Sequence, residues 1–119
     1  MLKFLINIFK KIPISIFVVE GSSMYPRLKR GDLIVVVKSK NISVSVDDII
    51  VFRNPEIGLI AHRIIKITET GLFTRGDNNV VQDPEIINKD QILGRVRVRI
   101  PWLGFPRIWL KMLTHPVDQ

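Results

Sequence analysis

A chain of 119 residues makes one domain with a single core. It contains no cysteine, which excludes disulfide staples, thiolate metal sites and a cysteine nucleophile. Eighteen Lys and Arg against eleven Asp and Glu leave a net charge of +7; a small protein this basic is drawn to nucleic acid or an anionic membrane face, and charge alone does not choose between them.

At the N-terminus, Leu2, Leu5, Ile6 and Phe9 fall at helical spacing, with Lys3, Asn7, Lys10 and Lys11 largely on the other side. Pro13 stops that helix. About 20 apolar residues are needed to span a bilayer, and Lys10-Lys11-Ile12-Pro13 interrupts any such run. No small-residue cleavage signature follows. Residues 1–13 are therefore expected to form an amphipathic, membrane-associating helix, its lysines toward anionic headgroups. The alternative is that its apolar side caps the domain core.

From Ile14 the pattern turns to β. Ile14 to Val19 and Leu33 to Val37 read as strands, the second buried on both faces. Between them run Gly21-Ser22-Ser23-Met24-Tyr25-Pro26 and Arg27-Leu28-Lys29-Arg30-Gly31-Asp32. Gly21 and Pro26 mark a turn, so Ser22 and Ser23 can reach solvent while the flanking strands hold them. Asp47-Asp48 opens a strand over Ile49 to Phe52, and Asn54-Pro55-Glu56 closes it. Leu59 to Thr68 is the longest strand candidate, and Thr70-Gly71 turns it into Leu72 to Arg75 as a hairpin. Gly76-Asp77-Asn78-Asn79 is a second strong turn.

Gln91 to Ile100 alternates, with Val96, Val98 and Ile100 on one face and Arg95, Arg97 and Arg99 on the other. The arginine face reads as the solvated side of a sheet, with anionic lipid or nucleic acid as the alternative. No aromatic residue interleaves to make a base-stacking platform. Beyond Pro101-Trp102-Leu103-Gly104, Phe105, Ile108, Trp109 and Met112 place a short helix over Phe105 to Leu113. Trp102 and Trp109 beside Lys111 suit a membrane interface. The expected fold is mainly β: a compact coiled antiparallel sheet or partial barrel, with short amphipathic helices at both ends.

A serine hydroxyl needs a base to become a nucleophile. The chain has two histidines. His115 lies in the terminal Thr-His-Pro segment and carries little weight. His62 sits on a strand and shares its face with Ile60 and Ile64, where burial habit makes a core residue of it. Taken with the serine turn, it becomes a candidate base. A base in turn needs an acid to fix its tautomer. Asp77 and Asp83 are both available, and either could be a plain turn acid.

Ser23-Met24-Tyr25-Pro26, then Asp47-Asp48-Ile49-Ile50-Val51-Phe52, then His62-Arg63-Ile64, then Gly76-Asp77-Asn78-Asn79 with Asp83 six residues after Asp77, resemble signal peptidase I over residues 16–104. His62 stands where bacterial members carry lysine, which resembles the archaeal and endoplasmic-reticulum branch with a Ser-His-Asp site. The resemblance implies the fold of that family and a serine endopeptidase cutting signal peptides from secretory precursors after small residues. It makes Ser23 the nucleophile, His62 the general base, Asp83 the orienting acid and Asp77 a second acid supporting the site. Gly21 stands where many relatives carry a serine, and Asp47-Asp48 where Gly-Asp is usual. The oxyanion would then lean on the Ser23 N–H and the Ser22 hydroxyl.

No metal or organic cofactor is implied. The implied partners are an extended precursor peptide, docking by strand addition, and a membrane surface, with no nucleic acid and the site on the extracytoplasmic side. Only the interrupted N-terminal stretch is expected where the family has its transmembrane anchor. The organisation is then a membrane-associating segment over 1–13, a catalytic β-domain over 14–104, and a short helix and tail over 105–119. Two other readings stand beside it: a peripheral maturation protease of the same fold with one dedicated substrate, and a non-catalytic basic β-domain binding anionic lipid or nucleic acid.

Overall fold

A computed structural model describes residues 2–7, 13–38 and 43–101. They form strands β1 Leu2–Asn7, β2 Ile14–Val19, β3 Leu33–Val37, β4 Ile49–Asn54, β5 Gly58–Thr68, β6 Gly71–Arg75 and β7 Ile92–Ile100, with a 3₁₀ turn at Lys89–Gln91. The strands make one seven-stranded antiparallel sheet in the order β1-β2-β3-β7-β4-β5-β6. The sheet curls until β1 approaches β5, which is the coiled, mainly β architecture the sequence predicts. Among the described residues, no helix is long and apolar enough to cross a membrane.

The curl gives β4 two buried faces. Ile49 and Val51 belong to one apolar cluster with Phe17, Ile34 and Met24. Ile50 and Phe52 belong to a second with Ile60, Ile64, Leu72 and Ile87. Successive side chains of a strand point to opposite sides, so an unbroken apolar run is what a strand between two clusters requires. His62 follows the same alternation: it pairs with Ile50 across β4 and lies on the side of Ile60 and Ile64, at the second cluster.

At the N-terminus the helix expectation is corrected. Leu2–Asn7 is a strand, antiparallel to β2 through Leu2↔Val19 and Phe4↔Phe17. Leu2 is buried in the first cluster, and the Phe4 ring meets Phe17 edge-on at 5.6 Å between centroids. A strand here gives partners to the β2 backbone, which a helix would have left as an open sheet edge. The remainder of that predicted helix, Phe9 to Lys11, lies outside the described residues. So do the helix expected over residues 105–113 and His115.

The alternation read along β7 is also corrected. The ladder to β3 shifts register between Val35↔Val98 and Val36↔Val96. Arg97 is the extra residue of that β-bulge, and a bulge reverses the facing of everything beyond it. Val96 packs on the first cluster while Val98 pairs on the opposite face and is 51% exposed. Arg95 and Arg99 are likewise separated. Arg95 reaches Asp48 at 3.5 Å, and Arg99 turns back to the buried Asp32 at 3.5 Å and to the Arg27 carbonyl at 3.1 Å. There is no single arginine stripe.

Candidate active site

The segment joining β2 to β3 is a compact turn rather than a loose loop. Tyr25 N–H donates to the Ser22 carbonyl at 3.1 Å and Leu28 N–H to the Met24 carbonyl at 2.8 Å. Met24 and Leu28 are buried in the first cluster and anchor the turn from beneath. Its base is closed by Gly31 N–H to Val19 O at 2.7 Å and Val19 N–H to Asp32 O at 2.9 Å, while the Asp32 carboxylate accepts Lys29 N–H at 2.8 Å. Ser23 is half-buried on this frame.

A second turn, 76–79, is fastened onto the first. Asn78 N–H donates to the Ser23 carbonyl at 2.8 Å, and the Asn78 side-chain amide donates to the Ser22 carbonyl at 3.2 Å. Asp77 N–H points at the Met24 sulfur at 3.3 Å. The fit is so close that a Cβ on Gly76 would sit 2.5 Å from Ser23 O and 3.0 Å from His62 Nε2. Gly76→Ala should therefore displace the Ser23 backbone and lower turnover by about 10²-fold, the usual cost of misplacing a reacting group by an ångström. Steady-state kinetics on a folded variant check it; parent turnover would show that the turn gives way without moving Ser23.

These two turns and β5 converge on three of the residues singled out in the sequence. His62 Nε2 lies 3.0 Å from Ser23 Oγ, and His62 Nδ1 lies 2.6 Å from Asp83 Oδ2. A carboxylate only accepts, so the neutral imidazole carries its proton on Nδ1 and turns the Nε2 lone pair toward the serine hydroxyl. His62 is 7% exposed, and Phe52 meets its ring edge-on at 6.2 Å between centroids. Asp83 is brought into reach because the chain returns along β6: its N–H donates to the Thr74 carbonyl at 2.8 Å, and Leu72 and Ile87 form a bridge further on. Thr74 Oγ1 donates to the same Asp83 Oδ2 at 2.6 Å.

Asp77 does not touch His62. It takes two bonds from the next residue along β5, Arg63, from Nε at 2.8 Å and from Nη2 at 2.7 Å. Arg63 also donates to the Asp47 carbonyl at 2.8 Å. The hydrogen bonds from Arg63 hold the Asp77 carboxyl below its ordinary range against the opposing cost of burial, helped by the charges of Arg63, Arg75 and Arg27. The same bond raises Arg63. An acid whose folded value is depressed stabilises the fold above its unfolded value, near 3.8, and loses that contribution as pH falls through the folded value. Asp77→Asn should thus lower the melting temperature near neutral pH, and the gap from the parent should narrow once pH drops below about 4. Thermal melts of both proteins across that range test it; a constant gap would remove the ion pair from the stability of the turn.

A cavity of about 410 Å³ opens beside Ser23 and His62. Phe52, Ile57, Ile60 and Ile87 give it an apolar floor, and Glu56 and Glu85 stand among its lining residues. Asn54, Asn79 and Asp83 line it as well, so apolar and polar groups share its wall. Among the described residues, no group of three or more His, Cys, Asp and Glu could hold a metal ion.

Thr74, Gly76 and Asn78 belong to this site; the sequence reads Gly76 and Asn78 only as members of the Gly-Asp-Asn-Asn motif and Thr74 only as part of a strand, and gives none of them a role. The only local signal is their position just before and within the Gly-Asp-Asn-Asn turn, since the side-chain contacts of Thr74 and Asn78 are to residues 9 and 56 positions away.

Residues 5–97 match the Peptidase S24-like family. The chain is 34% identical to the signal peptidase complex catalytic subunit sec11 of Schizosaccharomyces pombe, over 80% of this chain and 66% of that protein. It is 35% identical to SEC11 of Pyricularia oryzae, over 87% of this chain and 67% of the relative. To SEC11C of Canis lupus familiaris it is 31% identical, over 78% of this chain and 55% of the relative. The chain thus spans about two thirds of the length of the fungal relatives and about half of the canine one.

Proposed function

Because the chain belongs to the Peptidase S24-like family and, within it, to the signal peptidases of eukaryotic and archaeal type, we propose that it cleaves signal peptides from secretory precursors with a Ser23-His62-Asp83 site. The observation that carries this reading is the unbroken chain of contacts from Ser23 Oγ to His62 Nε2 at 3.0 Å and from His62 Nδ1 to Asp83 Oδ2 at 2.6 Å.

In this mechanism the precursor lies extended along Gly58–Ala61, the end of β5 that β6 does not pair, with side chains entering the cavity over Phe52 and Ile60. Ser23 Oγ attacks the scissile carbonyl while His62 Nε2 takes its proton. Asp83 holds the Nδ1 proton and stabilises the imidazolium as it forms. The Ser23 N–H, with the Ser22 hydroxyl beside it, receives the oxyanion. His62 then gives its proton to the leaving amine, and water, activated by the same imidazole, releases the acyl group. Asp77 fixes the turn that carries Asn78 against Ser23, and takes no part in proton transfer. The substrate is a precursor met at a membrane surface, with the site on the extracytoplasmic side.

The test uses a fluorophosphonate probe, which phosphonylates an activated serine with loss of fluoride, and mass spectrometry of the labelled peptide. Labelling at Ser23, lost in His62→Ala, is expected, together with cleavage of secretory precursors in the presence of lipid. An unlabelled protein that cleaves no precursor would return the chain to a non-catalytic basic β-domain.

A further inference from the structure

We propose that Thr74 is a positioning residue for this chemistry: its buried hydroxyl holds the Asp83 carboxylate in the orientation that His62 requires. The inference rests on the reading of Asp83 as the acid that orients His62.

Thr74 is 0% exposed, on β6, opposite Ile64 of β5. Its hydroxyl donates to Asp83 Oδ2 at 2.6 Å, the oxygen that also takes His62 Nδ1–H at 2.6 Å. A carboxylate oxygen has two lone pairs, so both donors can be served at once, and together they fix the rotation of the carboxyl group. Thr74 holds the same residue a second time through its carbonyl, which accepts Asp83 N–H at 2.8 Å. Both the backbone and the side chain of Asp83 are therefore registered to one residue of the sheet.

The chain leading into Asp83 gives little other support. Val80 and Val81 are 92% and 74% exposed, and the Asp83 side chain itself is 21% exposed. A site group borne on a loop is precise only when a rigid element locks its rotamer. Threonine suits that task, since branching at Cβ restricts χ1 on a strand. Thr74 also lies outside the residues lining the cavity beside Ser23, so its influence on turnover would pass through Asp83 rather than through substrate.

Thr74→Val keeps the shape and removes the hydroxyl; Thr74→Ser keeps the hydroxyl. On a precursor peptide, kcat should fall about ten- to a hundred-fold in Thr74→Val, the scale of a misoriented reacting group, with KM unchanged. Thr74→Ser should recover most of that loss. The downfield proton resonance of His62 Nδ1–H, a signature of its short bond to Asp83, should move in Thr74→Val and return in Thr74→Ser. Should Thr74→Val misfold, Thr74→Ala, which loses the same hydroxyl with less bulk, takes its place. In an Asp83→Ala background, Thr74→Val should cost almost nothing more, because residues acting as a unit are not additive. Parent kcat and an unmoved resonance in Thr74→Val would overturn the inference, and so would its full loss repeated in the Asp83→Ala background. Parent turnover in Asp83→Ala alone would instead sink the orienting role of Asp83, and the inference with it.

Discussion

Ser23→Ala should lower turnover by about 10⁴-fold or more, the loss expected when a nucleophile is removed from a Ser-His-Asp site. Ser22→Ala should leave measurable activity, with a loss of about 10²–10³-fold at most if its hydroxyl assists the oxyanion. The two serines are neighbours on one turn, so composition cannot separate them. Their positions differ: Ser23 Oγ is 3.0 Å from His62 Nε2, whereas Ser22 ties the two turns together through its carbonyl. The Ser22 carbonyl accepts Tyr25 N–H at 3.1 Å and the Asn78 amide at 3.2 Å, and truncating its side chain removes neither. Single-turnover cleavage of a precursor peptide by each variant decides the matter. An inactive Ser22→Ala beside a working Ser23→Ala would shift the nucleophile by one residue.

Local chemistry made much of this molecule legible. Gly21 and Pro26 marked the serine turn, Thr70-Gly71 the β5–β6 hairpin, and the apolar run Leu33 to Val37 a strand whose ends match the structure. His62 lies on the face shared with Ile60 and Ile64, as alternation requires. The misreadings have specific causes. Leu2, Leu5 and Ile6 fit a helical stripe, yet Leu2 and Phe4 also fit one face of a strand, and only the open β2 edge decides between them. The bulge at Arg97 cannot be seen in a sequence that alternates without interruption, because a bulge is a relation between two strands. The same limit hid Thr74 and Gly76. A threonine on a strand and a glycine in a turn are ordinary until the fold sets one against Asp83 and the other against Ser23.

The acid beside His62 separates two candidates that the sequence places six residues apart. Asp83→Asn should reduce turnover by about 10³–10⁴-fold with little change in folding, because an amide can donate to Nδ1 and so favour the tautomer with its proton on Nε2. That proton would face Ser23 Oγ, 3.0 Å away, and the imidazole could no longer accept from it. Asp77→Asn should cost much less turnover and more stability, since Asp77 is bound to Arg63 at 2.7 and 2.8 Å. His62→Lys should not restore a lysine-type site. A lysine base has to lose its charge, which burial favours, but Asp83 at this position would hold the ammonium charged and unreactive. Turnover and thermal melts measured together on the three variants, with His62→Ala as reference, give each residue its part. Full activity in His62→Ala would end the Ser-His-Asp reading, and an Asp77→Asn loss larger than that of Asp83→Asn would transfer the orienting role to Asp77.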